Sequence, residues 1–317
     1  MKGLELAELY YREYEGQIKA ILGDDFERVS IGLCGQGSEC FGFDDDISKD
    51  HDFGPGFCIF TDEEIYGRYG ERLEQFYAEL PVELMGSRRL VSSHGQGRVG
   101  VCKTKDFYFA NLGIDHAPEN LFQWYQLPEE RLAMVTNGEL FHDGNDEFSK
   151  MRKILQKGYP LEVMLKKLAS RFAVMAQAGQ YNYKRCLARR DYVAAYFALN
   201  LFMKNAISAI YLLNGAYMPF YKWAYHGMKE LSVLKELQPL FAALASSRCG
   251  IAYVDAGEQG EKAYDAGVLI EAVCGEIVKE CVSRGLLESP VDFLDDGVAM
   301  LQANISDGLL QKLPLEM

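Results

Sequence analysis

Residues 37–54 read Gly37-Ser38-Glu39-Cys40-Phe41-Gly42-Phe43-Asp44-Asp45-Asp46-Ile47-Ser48-Lys49-Asp50-His51-Asp52-Phe53-Gly54. A Gly-Ser turn stands eleven residues ahead of an Asp-X-Asp pair, with a hydrophobic strand expected on each side. Strand alternation puts Asp50 and Asp52 on one face, and His51 and Phe53 on the other. Two neighbouring carboxylates repel each other unless a cation sits between them. Hard oxygen ligands of this kind suit Mg²⁺ (or Mn²⁺), which takes one or two carboxylates and completes its shell with substrate phosphates. The Gly-Ser turn offers backbone N–H groups and a hydroxyl to a phosphate. Metal and phosphate together point to nucleotide chemistry.

The flanks support a strand–turn–strand reading. Val29 to Gly35 alternates and ends in glycines, so it predicts a strand entering the turn. Asp52 to Phe60 predicts the second strand, and Gly54-Pro55-Gly56 inside it predicts an edge position or a bulge. Residues 4–22 have helical spacing, and Thr61-Asp62-Glu63-Glu64 opens a helix running to about Leu80. Val99 to Cys102 predicts a third strand. From Asp106 onward the period is helical, with long candidates at 118–136, 147–157, 160–178, 190–213, 234–246, 259–284 and 291–304. The fold class expected is therefore α+β: a small mixed-sheet domain over residues 1–145, then an all-helical bundle domain over 146–317.

Composition bounds the function further. The chain has 317 residues, 49% apolar and 25% charged, which is ordinary for a globular protein. No stretch approaches twenty uninterrupted apolar residues, so no membrane partner is expected. The opening Met1-Lys2-Gly3-Leu4-Glu5 lacks the apolar core of a signal peptide. Eight cysteines are scattered without a C-x-x-C pair, which reads as buried free thiols and a cytoplasmic location. The net charge of −13 is unevenly spread. Residues 1–150 carry −15, residues 151–230 carry +10 and the rest −8. Carboxylates for a metal beside Lys and Arg for phosphates fit a nucleotide held between two domains. An acidic chain without an extended basic groove argues against nucleic acid as a partner.

Gly-Ser, the gap and the hydrophobic-flanked Asp-X-Asp resemble the signature of the nucleotidyltransferase superfamily of polymerase-beta type, with Gly37, Ser38, Asp50 and Asp52 matching it. The resemblance implies that Ser38 holds a nucleotide phosphate. It also implies that Asp50 and Asp52 bind the metal ions that support in-line displacement at the α-phosphorus. Residues 37–57 resemble more closely a bacterial family named domain of unknown function 4037. So do Val135 to Asp143, Gly179 to Arg185, and Leu212 to Trp223. The segment ending in Lys222-Trp223 is also similar to the helical domain of aminoglycoside and lincosamide nucleotidyltransferases. Taken together, these resemblances imply transfer of a nucleoside monophosphate from ATP or another NTP to a hydroxyl of a small-molecule acceptor.

Superfamily members carry a third carboxylate on a later strand, but Val99-Gly100-Val101 offers none. Glu83, in Val82-Glu83-Leu84, is the first choice for that catalytic acid, and Asp106 the second, although Thr104-Lys105-Asp106 reads better as a helix start. The glycine at position 100 motivates an alternative, a non-catalytic nucleotide-binding or protein-interaction module on the same fold. Glu39 is read as a ligand to a second metal or a helix cap, and Asp44 and Asp45 as a solvated loop. In the basic segment, Asn182 and Arg185 are the best nucleotide-binding candidates, because a guanidinium fork suits a triphosphate and a tyrosine ring suits a base. Lys222 is a further phosphate contact, Trp223 a packing residue, and the 190–213 helix bundle core.

Overall fold

A computed structural model of the chain describes residues 1–49, 53–89, 97–255 and 261–315. It is mixed α/β, mostly helical, with one small mixed sheet. The chain divides into two compact units, Met1–Pro118 with Leu127–Lys157, and Glu119–Gln126 with Gly158–Met317.

Among the described residues the first unit holds six strands: β1 (Ser30–Leu33), β2 (Cys58–Thr61), β3 (Glu83–Leu84), β4 (Ser87–Arg88), β5 (Gly100–Lys103) and β6 (Glu139–Asp143). Four of them form a sheet in the order β5-β2-β1-β6, with β2 parallel to β5 and the other pairs antiparallel. One face of the sheet is covered by helices Gly3–Leu22 and Glu63–Glu79. Tyr10, Tyr11, Ile18, Leu73 and Tyr77 pack there on Ile31, Phe57 and Ile59. Each such buried side chain contributes about 1.5–3 kcal/mol. On the opposite face, Phe60 of β2 stacks on Phe148 of helix Glu147–Leu155, their ring centroids 3.6 Å apart. Phe107 and Tyr108 of helix Thr104–Leu112 close around the same pair. The residues of β2 are buried on both faces, as its unbroken Cys58-Ile59-Phe60-Thr61 pattern requires.

Two strand expectations need correction. The strand after the Asp-X-Asp segment begins at Cys58, and it is interior, paired with both β1 and β5. Gly54 ahead of it serves close backbone approach instead. A Cβ on Gly54 would stand 2.4 Å from the Arg89 Cα, at a φ of +136°. Strand β6, in a region read as helical, completes the sheet, with a register shift between Ile31 and Gly32.

In the second unit, helix Leu161–Met175 runs into a π-helical stretch, Ala176–Tyr183, and on into Lys184–Ala188. Helices Tyr192–Leu213 and Leu294–Ala303 pack against Leu161–Met175. This unit is not all-helical, because β7 (Ile251–Asp255) and β8 (Glu261–Asp265) form an antiparallel hairpin, and the helix expected over 259–284 spans Ala266–Ser283. The 118–136 candidate is broken at Leu127-Pro128 into Leu121–Gln126 and Glu129–Thr136, where proline stops the first helix. Helix Tyr192–Leu213 is core through its second half, and in its first half only one stripe, Ala195, Leu199 and Phe202, is buried. Its first half exposes Tyr192, Val193, Tyr196, Phe197 and Leu201. By length and composition this helix could cross a membrane, yet over half of its most apolar window is buried in the fold.

Candidate functional site

The Gly-Ser turn leaves the end of β1 through two glycines in left-handed backbone, Gly35 (φ +114°) and Gly37 (φ +122°). Ser38, 8% exposed, then starts a single 3-10 turn, Glu39–Phe41, which Gly42 ends at φ +69°. The Ser38 carbonyl accepts from the N–H groups of Phe41 (3.1 Å) and Phe43 (2.9 Å). Its side chain makes no capping bond, and the N–H groups of Gly37 and Ser38 donate to no acceptor among the described residues. These two N–H groups are therefore left unpaired among the described residues.

Three neighbours hold the turn in shape. Asn137 meets Gly35 reciprocally: the Gly35 N–H donates to Asn137 Oδ1 (2.9 Å), and Asn137 Nδ2 donates to the Gly35 carbonyl (2.8 Å). The side chain thereby imitates a strand partner two residues past the ladder. Arg98 donates through Nε (3.1 Å) and one terminal nitrogen (2.6 Å) to the Gln36 carbonyl, and the same nitrogen pairs with Glu39. Gly3 lies so close that a Cβ there would sit 2.4 Å from the Glu39 Cβ, pinning the first helix against the turn. Glu39, itself buried, is thus the partner of a partly exposed arginine. Burial lifts its carboxyl above the ordinary range, and the Arg98 charge only partly offsets this.

Asp44 corrects an expectation. Instead of lying in a solvated loop it is 2% exposed, and its Oδ2 accepts the Gly3 N–H at 3.0 Å while Lys2 Nζ stands 3.8 Å from Oδ1. The first N–H groups of a helix need an external acceptor, and an acid there also suits the helix dipole. Asp45 is exposed as expected, accepting from the N–H groups of Ile47 (3.0 Å) and Ser48 (2.9 Å).

Beside the turn opens a cavity of about 420 Å³. Gly35 and Gln36 form one wall. Arg98, Lys103, Asp106, Asn111 and the rings of Tyr66 and Phe107 form much of the rest. Lys103 lies over the Tyr66 ring, 4.6 Å from its centroid, and pairs with Glu63 at 3.3 Å. Cations, amides, one carboxylate and two aromatic rings can together hold a polar, ring-bearing anion.

The other sequence candidates fall as follows. Asp50 and Asp52 lie outside the described residues. Gly37 and Ser38 stand at the turn. Glu83 is exposed on the β3–β4 hairpin and does not line the cavity, whereas Asp106 does. Gly100 is buried with φ +122°, so the acid sought there would meet backbone strain. Asn182, Arg185 and Lys222 belong to the second unit. Asn182 is half-buried in the π-helical stretch. Arg185 is exposed, stacked on Tyr181 at 4.6 Å and donating to its hydroxyl at 2.9 Å. Lys222 is exposed over the Trp223 ring at 4.9 Å. Sequence reasoning missed Arg98 and gave Asn137 no role, although both are strong polar residues beside glycines, Gly97-Arg98 and Asn137-Gly138.

Residues 124–224 match the profile of a family described as Domain of unknown function (DUF4037). The matched span contains Asn137, Asn182, Arg185 and Lys222, and it begins after the Gly-Ser turn. No curated protein matches the chain.

Proposed function

We propose that the first unit carries a Mg²⁺-dependent nucleotidyltransferase-like site. It binds a nucleoside triphosphate, ATP by default, and passes the nucleoside monophosphate to a hydroxyl of a small-molecule acceptor. The observation that carries this reading is the Gly35–Ser38 turn, whose Gly37 and Ser38 N–H groups are unpaired among the described residues, next to a cavity walled by Arg98 and Lys103. Ser38 and the turn hold phosphate, and Asp50 and Asp52 hold the metal, which when bound neutralises the polyphosphate and the departing pyrophosphate. Asp106 and Glu83 are the two acids to be tested for taking the acceptor's proton. Asn182, Arg185 and Lys222 are further nucleotide contacts suggested by the sequence pattern. Calorimetry tests the reading. The wild-type chain is expected to bind MgATP, and Asp50→Ala with Asp52→Ala to abolish Mg²⁺-dependent binding; unchanged binding defeats it.

A non-catalytic nucleotide-binding module is the second reading, favoured by Gly100, whose backbone reserves for glycine the place where an acid was sought. Pyrophosphate release over a panel of hydroxyl acceptors separates the two, since bound nucleotide without turnover selects the module.

A further inference from the structure

Helix Tyr192–Leu213 of the second unit opens with a stretch, Tyr192 to Met203, that carries no charged residue. A helix apolar around its whole circumference is one that is covered on every side. One side is covered here: Ala195, Leu199 and Phe202 are buried, and a Cβ on Gly179 of the π-helical stretch would stand 2.3 Å from the Phe202 ring. The other side is open. Val193 is 66% exposed, Tyr196 62%, Phe197 67%, Tyr192 50% and Leu201 45%. Three rings and two aliphatic side chains exposed to that extent present on the order of 500 Å² of largely apolar surface. That is the upper end of what a monomer leaves open. Two such faces together reach the roughly 1,000 Å² that a stable interface needs.

The shape of the open side matches itself. Residues four apart form rows along a helix. Val193, Phe197 and Leu201 make a raised row, and the partly buried Ala194 and Ala198 make the low row beside it. A second copy turned through a two-fold axis brings its raised row into this furrow and receives the other in its own. Packing along these rows crosses two helices at about −50°. Cations stand at both ends of the stripe, Arg189 and Arg190 before it and Lys204 at its far end, all exposed. Helices that cross at that angle diverge away from their contact, so these like charges are carried apart.

We infer that this face is the seat of a second copy of the chain, the two Tyr192–Leu213 helices crossing about a two-fold axis near Phe197. Phe197 of each copy fills the furrow between Ala194 and Ala198 of the other, flanked by Val193 and Leu201. Tyr192 and Tyr196 border the contact, their rings against the partner and their hydroxyls toward water. The pairing uses the second unit alone and does not depend on the nucleotide reading above.

Sedimentation equilibrium of the full chain tests the pairing. Twice the 35.8 kDa chain mass is expected at about 10 μM protein. Phe197→Glu, at a position exposed enough to accept a charge, is expected to weaken association at least about tenfold and to leave the circular dichroism spectrum unchanged. Ala198→Leu separates self-pairing from a general appetite for apolar cover. It adds apolar surface but fills the furrow, so it is expected to weaken the pair by about tenfold, whereas a lipid surface would hold it more tightly. Raising the salt from about 0.1 M to about 1 M is expected to leave the pair intact, because it screens only the like charges at the ends. A wild-type chain that stays monomeric at about 100 μM overturns the inference. So does association undiminished in Phe197→Glu or in Ala198→Leu. A monomeric chain that floats with phosphatidylcholine–phosphatidylserine vesicles assigns the face to lipid and overturns it as well.

Discussion

A methyl group added to Gly37 has no room. It would stand 2.1 Å from an Arg98 nitrogen and 2.5 and 2.6 Å from the Glu39 carboxylate oxygens, on a backbone at φ +122°. Gly37→Ala is therefore expected to cost about 1–3 kcal/mol in urea denaturation and to weaken MgATP binding by distorting the turn. A variant as stable as wild type would show that the Arg98–Glu39 pair yields freely. This turn was legible in the sequence because glycine reports locally on backbone that other residues adopt at a cost. Its supports were not. Asn137 and Arg98 act on Gly35 and Gln36 across 102 and 62 residues, and no periodicity connects such positions. Asp44 was misread for the same reason, its partner being an N–H of the first helix, 41 residues away.

Among the elements, those with a long apolar period were read nearly to their ends. The 4–22 expectation became Gly3–Leu22, and 147–157 became Glu147–Leu155. Short polar strands escaped. Strand β6 reads Glu139-Leu140-Phe141-His142-Asp143 on an edge of the sheet, where half its surface faces water and the alternation is weak. The hairpin β7–β8 escaped likewise, merged with the helix that follows it. The end of β6 also carries a pH dependence. Burial raises the Asp143 carboxyl, but the nearby Ser149 side chain, Lys153 Nζ at 2.9 Å and the Asn145 N–H at 2.8 Å outweigh it and bring it down to about 2. A carboxyl depressed on folding adds stability that is complete above its unfolded value, near 4, and is lost as pH falls toward 2. Urea midpoints measured from pH 5 to pH 2 are expected to fall less steeply for Lys153→Met than for wild type. Parallel curves would remove Lys153 from the account.

For the whole molecule, the domain arrangement is less simple than one boundary near residue 145. The chain leaves the first unit at Pro118, contributes Glu119–Gln126 to the second, returns at Leu127 and crosses again after Lys157. Within the second unit a buried lysine secures the C-terminal stretch. Lys166 is wholly buried, and its Nζ donates to the carbonyls of Gln311 and Leu313, beside the bond from the Tyr125 hydroxyl to the Pro314 carbonyl. Burial lowers the Lys166 pKa, so the folded chain binds fewer protons than the unfolded one between that lowered value and the ordinary lysine range. Its contribution to stability therefore rises with pH across that window. Lys166→Met is expected to flatten the alkaline limb of the stability curve and to speed amide exchange over residues 311–315. An unchanged limb with protected amides would show that the lysine bears no part in either.

The reciprocal amide between Asn137 and Gly35 sets an order on biosynthesis. A ribosome that has translated the first 120 residues has released the Gly-Ser turn but neither the side chain that braces it nor the sheet's outer strand. The nascent turn gains its brace only after the polypeptide has passed through residues 119–126 and reached Asn137. Any truncation ending before that point would deliver the Gly-Ser turn without its brace.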